Sequence, residues 1–321
     1  MLRFVLLTDG DRNATDNYAA RKIHQIEIWL HPQAKSKDGE HGVRFNIVNC
    51  PGGSGEMIGL MNDGKVDVIV ALTEALLASS LKDDASTVPY RLIGTYVQSP
   101  LTWAIATNPA REAFSSFPRE NGNWDVLRGC RVGISRVGSG SHIIPFVMRK
   151  MRGWNEHFTF VTLNNIDELV AGLAEADACD AFLWEQTMTK KYFDSEKLHH
   201  LSNVIPPWCA FSIAASTEII KSRPSDLVKL LEEISNATAI FMTDQASAVE
   251  YIADRFHQDA KDVQKWLTTV SYPKDARLVD SAVINSCSDI LKDAGLVERG
   301  GEDVRVEEVV EARIATIIPA L

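Results

Sequence analysis

Ser139, Gly140, Ser141 and His142 stand between two apolar runs, CRVGIS and IIPFVM. That order reads as strand, Gly/Ser turn, helix. The first amides of a helix lack acceptors within it, so a glycine-rich approach to a helix start suits an anion. A second stretch, VRFNIVNCPGGSGEMIGLM (43–61), has the same grammar, with Gly53, Ser54, Gly55 and Glu56 at its turn. Both turns follow the carboxyl end of an expected strand, where ligands bind in open α/β sheets. By spacing, they occupy matching positions in two α/β domains. Each either holds an anion or caps only its own helix.

Familiar phosphate loops are excluded. A Walker A turn continues Gly-Lys-Ser/Thr, whereas His142 and Glu56 follow here. The dinucleotide fingerprint needs a third glycine after Gly138 and Gly140, or after Gly53 and Gly55, and Ile143 and Ile58 stand there instead. No GxSxG or HExxH occurs. The eight histidines include no helical i, i+4 pair, which argues against a metal cluster. His142 is the candidate for acid–base chemistry by its position on the turn. Glu232 and Glu233 are adjacent on a helix and read as surface charge. No cofactor is expected.

The elements that would position these residues alternate. RFVLLT (3–8), VRFNIVNC (43–50), VDVIVAL (66–72) and RLIGTYV (91–97) read as strands, with helical patterns between them, including NYAARKIHQIEIWL (17–30). TWAIAT (102–107) opens a second region, containing CRVGIS, FTFVTL and CDAFLW as strands. Between the last two, IDELVAGLAEAD is amphipathic, with Ile166, Leu169, Val170 and Leu173 on one face and Asn165 with Glu168 as a capping pair. After AFSIAAS (210–216) the chain reads as mostly helical, Ser225 being expected to cap one helix and Gly295 to end another. The fold class is therefore α/β. The expected division is a first lobe of residues 1–100, a second of 101–208, and a return to the first over 209–321. No Gly/Ser linker separates them, so strands near 98–103 and 204–211 should carry the crossings.

Composition bounds the partners. The 321 residues are 45% hydrophobic and 24% charged, as in a globular protein with a substantial core. Lys and Arg number 33 against 43 Asp and Glu, a formal net charge of −10. Such a chain has no electrostatic pull toward nucleic acid or anionic lipid, so any anion site must be local. Five scattered cysteines with no CxxC pair argue against a disulfide framework and a structural zinc site and favour a reduced, cytoplasmic protein. No run reaches the length of a membrane span, and the N-terminal residues lack the apolar region of a signal peptide.

Several stretches, in order and over most of the chain, resemble a known family: PGGSGEMIGLMNDGKVDVIVALTEAL, DVLRGCRVGISRVGSGSH, CDAFLWEQTMTKKYFD and VQKWLTTVSYPKDARLVDSAVINSCSDILKDAGLV. They resemble the type 2 periplasmic-binding-protein fold, in the branch of alkanesulfonate-, taurine- and nitrate-binding proteins and fungal thiamine-pyrimidine synthases, nearest to its cytosolic fungal members. The resemblance implies two lobes that close by hinge bending, YVQSPLTW and VIPPWCAF being the candidate hinges. It further implies ligand-binding roles for Asp9, Gly10 and Asn13 at the rim after the first strand. The same holds for Gly53, Ser54, Gly55 and Glu56, for Thr73 and Glu74 after the third strand, and for Ser99 in the first crossing. In the second lobe it implicates Ser139, Gly140, Ser141 and His142, read as the counterpart of the 53–56 turn, together with Trp184 and Glu185. Two cleft glutamates would suit an amine or amidine beside the anionic group; otherwise they cap helices, where carboxylates are favoured.

Thiamine-pyrimidine synthases carry a cysteine-rich run with Lys and His residues that interact with pyridoxal phosphate. Here QTMTKKYFD follows the equivalent strand without cysteines, and Lys22 and His24 lie in no matching motif. The expected function is binding: two lobes closing on a small anionic metabolite such as a sulfonate, phosphate, carboxylate or pyrimidine. The alternative is a cytosolic enzyme on the same fold, related to thiamine-precursor synthesis, since a fold alone does not fix function.

Overall fold

The structure is a computed structural model describing residues 2–6, 45–50, 53–81, 88–256, 258–297 and 304–319. In chain order the first elements are β1 (Leu2–Leu6), β2 (Phe45–Asn49), α1 (Gly53–Asn62), β3 (Val68–Leu72), α2 (Thr73–Ser80) and β4 (Tyr90–Val97). There follow β5 (Trp103–Thr107), α3 (Glu112–Ser115), β6 (Arg131–Ile134), α4 (Gly140–Arg152), β7 (Thr159–Thr162), α5 (Ile166–Ala174), β8 (Ala181–Glu185), α6 (Gln186–Asp194) and β9 (His199–Val204). The chain continues with β10 (Phe211–Ser216), α7 (Thr217–Ser222), α8 (Pro224–Thr243), α9 (Gln245–Phe256), α10 (Ala260–Leu267), β11 (Leu278–Asp280), α11 (Ser281–Asp293), α12 (Val306–Val309) and β12 (Thr316–Ile318). The helix expected over 17–30 lies outside the described residues.

Contacts divide the chain into two units. Unit 1 comprises Met1–Ser99, Trp208–Cys287 and Arg299–Leu321; unit 2 comprises Pro100–Pro207 and Ser288–Glu298. The stretch Ser288–Glu298 was expected with the first lobe. It packs with unit 2, where Lys150 pairs with the Asp293 carboxylate at 3.1 Å and Arg149 reaches its carbonyl.

Each unit is built on five strands in one scheme. Unit 1 has the order β2-β1-β3-β10-β4 and unit 2 the order β7-β6-β8-β5-β9. In unit 1, β1 is parallel to β2 and β3, and β10 runs antiparallel between β3 and β4. In unit 2, β6 is parallel to β7 and β8, and β5 runs antiparallel between β8 and β9. Thus β1 corresponds to β6, β2 to β7, β3 to β8 and β10 to β5. Residues Val68 to Ala71 of β3 are all buried, as expected for a strand covered on both faces.

Unit 2 has a well-defined face. Ala104, Ala106, Phe182, Leu169, Val170 and Leu173 form one buried cluster, so α5 covers the face that Ala104 occupies. The capping pair is present: Asn165 Oδ1 accepts from the Glu168 amide at 3.0 Å and Asn165 Nδ2 donates to Glu168 Oε1 at 2.7 Å. Because β7 and β8 flank β6 on opposite sides, right-handed crossovers set α4 and α5 on opposite faces. Helix α4 therefore covers the other face, that of Trp103, Ile105, Leu183 and Glu185.

Two helix ends refine the expectations. Helix α8 starts at Pro224, with Arg223 at the N-cap, so Ser225 sits inside the first turn rather than capping it. Proline at the first position has no amide to leave unsatisfied and its φ is already helical. Gly295 adopts φ +65°, and its N–H donates to Lys292 O while Leu296 N–H donates to Leu291 O, closing α11 as expected.

Candidate functional site

In unit 2, the carboxyl ends of β6 and β8 and the amino end of β5 form one sheet edge. The turn after β6 is tied by its own side chains. Ser141 Oγ accepts from the Ser135 amide at 2.9 Å and lies 2.9 Å from Ser139 Oγ, which donates to Arg136 O at 2.7 Å. Gly138, at φ +77°, donates its N–H to His142 Nδ1 at 3.1 Å. That bond makes Nδ1 an acceptor, so the ring carries its proton on Nε2. The buried ring packs edge-on against Phe146 and Phe160, with centroids 5.5 and 4.5 Å away. His142 thus helps hold the turn in shape.

What the turn offers a ligand is different. The amides of Gly140 and Ser141, at the start of the thirteen-residue helix α4, have no acceptor among the described residues, as the first turn of a helix dictates. The Arg136 side chain, exposed on the same turn, has no carboxylate, carbonyl or ring partner among the described residues, whereas Arg111 pairs with Asp177 and Asp180 and Arg152 lies over the Trp124 ring. Partial burial pulls its pKa down, with no anion opposing. Sequence reasoning did not single out Arg136. Its signal was a cation two residues before the first glycine of the turn.

Glu185 ends β8 and its Oε2 accepts from the Met188 amide at 3.0 Å, so it serves as N-cap of α6. Trp184, on the opposite face, is half-buried against the Ala104 cluster. The Gln186 amide donates to Thr102 O at 2.9 Å, fixing the start of β5 beside the start of α6.

Unit 1 repeats that joint: the Thr73 amide donates to Ala210 O at 3.2 Å. Ser54 Oγ accepts from the Leu72 amide at 3.1 Å, linking the starts of α1 and α2. Thr73 Oγ1 lies 2.9 Å from Ser212 Oγ and 3.3 Å from Cys209 Sγ. Glu74 is only 1% exposed, and its Oε2 accepts from Trp208 Nε1 at 3.1 Å. Burial pushes its carboxyl up to about 7, against the opposing pull of its own backbone amide and Trp208. The neighbouring thiols of Cys209 and Cys287 are also pushed up by burial. Ser99 Oγ accepts from the Ser271 amide at 3.1 Å. Gly55 and Glu56 are exposed on α1, and Gly53 takes φ +71° at its start. Asp9, Gly10 and Asn13 lie outside the described residues.

The two Gly/Ser turns are not counterparts. The 53–56 turn follows β2, whereas the 138–142 turn follows β6, which corresponds to β1. The positional match read from the sequence is corrected accordingly: the equivalent of 138–142 is the segment after β1, and the equivalent of 53–56 is the start of α5. Among the described residues no group of three or more His, Cys, Asp or Glu side chains could hold a metal ion. Among them, too, no helix is long and apolar enough to cross a membrane.

A family profile described as Ca3427-like PBP matches residues 103–204. Among solved structures, the chain is similar to the Candida albicans CA3427 gene product, described as exhibiting the generic periplasmic binding protein structural fold. The identity is 24%, covering 97% of this chain and 95% of that one, with a TM-score of 0.79. It is also similar to the alkanesulfonate-binding protein SsuA from Xanthomonas axonopodis pv. citri bound to MOPS, at 14% identity over 99% and 98% of the two chains, TM-score 0.68. A third similar structure is PhnD1 from Prochlorococcus marinus in complex with methylphosphonate, at 11% identity over 92% and 98%, TM-score 0.54. No curated protein sequence matches this chain. The likeness establishes an α/β, two-lobe, periplasmic-binding-protein-like fold, as the sequence resemblance implied.

Proposed function

We propose that this protein binds a small anionic molecule at the unit 2 sheet edge, with Arg136 and the Gly140 and Ser141 amides as donors. The observation that carries the reading is Arg136. In a chain with net charge −10, its guanidinium has no carboxylate partner among the described residues, on the turn that leads into α4. A helix start and an adjacent cation act in the same direction on an anion. Proteins of the same fold hold MOPS, a sulfonate, and methylphosphonate, which supports a compact oxyanion as the ligand class. Closure of the two lobes on the ligand is part of the proposal, and it requires tighter binding to the closed state than to the open one.

The match to the Ca3427-like profile and the likeness to the Candida albicans protein support a place beside fungal proteins of that kind. Five unpaired cysteines support a reducing, cytoplasmic compartment.

The test is a thermal-shift panel of sulfonates, phosphonates, phosphates and carboxylates, with neutral isosteres as controls, followed by mass identification of what is recovered. A ligand at a hundred times its dissociation constant stabilises by about 2.7 kcal/mol, a shift of several degrees. An anion recovered unaltered is the expected outcome. Recovery of a converted compound supports the enzymatic alternative, and a panel in which neutral isosteres act as well as anions contradicts the reading.

A further inference from the structure

Trp103 is 5% exposed, and its indole Nε1–H has no hydrogen-bond partner among the described residues. A buried donor without an acceptor costs about 1–3 kcal/mol, so such groups in folded proteins almost always have a partner. The position of this one in unit 2 is informative. Trp103 is the first residue of β5 and lies directly opposite Glu185 on β8 and Val204 on β9. Opposed residues of antiparallel strands point to one face. Trp103 therefore shares its face with Glu185, and α4 covers that face.

Its height along the sheet agrees. Val132 and Gly133 of β6 pair with Ala181 and Phe182 of β8. Continuing that register sets Arg136 level with Glu185, and hence with Trp103. Only β8 separates β6 from β5, so Trp103 stands about 10 Å across the sheet from the turn. A buried donor on the face covered by α4, a cation with no partner among the described residues and the start of α4 thus lie at one edge of the sheet. His199 supplies a contrast. Its Nε2 is also buried without a partner among the described residues, but His199 pairs across from Thr107 at the far end of β5, away from any of these groups.

Resting on the anion-binding reading above, we infer that Trp103 Nε1–H is a ligand-directed donor, giving a hydrogen bond to an oxygen of the bound oxyanion. A rigid indole set in a sheet holds its donor at a fixed place. It would therefore select for ligands whose acceptor reaches the start of β5 and against those that only occupy the turn.

The isosteric test replaces Trp103 by β-(3-benzothienyl)alanine, which has the same outline with sulphur in place of N–H; Trp103→Phe is the simpler companion. MOPS and methylphosphonate are the probes, read by calorimetric titration, and the unliganded proteins are compared by thermal melting. The expected result is an unliganded melting temperature within about a degree of wild type for the isostere, and affinity for the better probe reduced about tenfold or more. An isostere that binds the probe as tightly as wild type overturns the inference while leaving the anion site standing. An unliganded isostere that melts several degrees low also overturns it, because the N–H is then satisfied within the free protein. Wild-type protein that binds neither probe removes the underlying reading together with this inference.

Discussion

Glu74 shows how much of a residue's chemistry depends on its surroundings. Burial raises its carboxyl from 4.5 to about 7, so the folded protein holds this proton more tightly than the unfolded chain does. The stabilising contribution is complete below pH 4.5 and is lost as the pH rises through about 7, a change of roughly 3 kcal/mol at 1.36 kcal/mol per unit. Glu74→Gln keeps an acceptor for Trp208. Its melting temperature is expected to vary less with pH across that window and to exceed wild type at pH 8; parallel pH profiles for the two proteins would contradict the assignment. At this scale the sequence was only partly legible. Residue types at His142, Glu185 and Ser141 point to their own turns, where their side chains are engaged in holding those turns. Arg136 went unnoticed because a cation's availability depends on what folds against it. Arg131, five residues earlier, is claimed by Asp177 and Asp180. Nothing in local sequence separates the two, and nothing there reveals that the Trp103 indole lacks an acceptor among the described residues.

Elements were more legible, because periodicity and caps are local. The α5 pattern and its Asn165/Glu168 cap, the strands of both units and the Gly295 stop all follow from residues within one or two turns of each other. Strand order is not local. A repeated strand–turn–helix grammar made the 53–56 and 138–142 turns look equivalent, whereas sheet order assigns them to different positions. Close approaches between segments are equally invisible in the sequence. A Cβ on Gly94 in β4 would lie 2.0 Å from the Ala276 carbonyl oxygen, which accepts the Thr95 amide at 2.9 Å. Gly94→Ala must displace backbone to be accommodated. It is expected to cost about 3 kcal/mol and lower the thermal midpoint by several degrees; an unchanged midpoint would show that β4 and the 275–277 segment are not in this contact.

At the scale of the whole molecule, the acidic net charge and the shared five-strand scheme of the two units decide what kind of recognition is available. A chain of net charge −10 does not draw anions by its overall field, so the proposed anion binding must come from short-range donors fixed by the fold. The fold was legible because the order of motifs runs along nearly the whole chain; the ligand was not, because its identity depends on a few donor positions that no motif encodes. The most direct measurement is calorimetric titration of methylphosphonate and MOPS into wild-type protein and into Arg136→Ala. The account predicts saturable binding of at least one anion by wild type, weakened about tenfold or more in Arg136→Ala, a loss of about 1.4 kcal/mol. Equal affinity in the two proteins, or no binding of either anion to wild type, would contradict it.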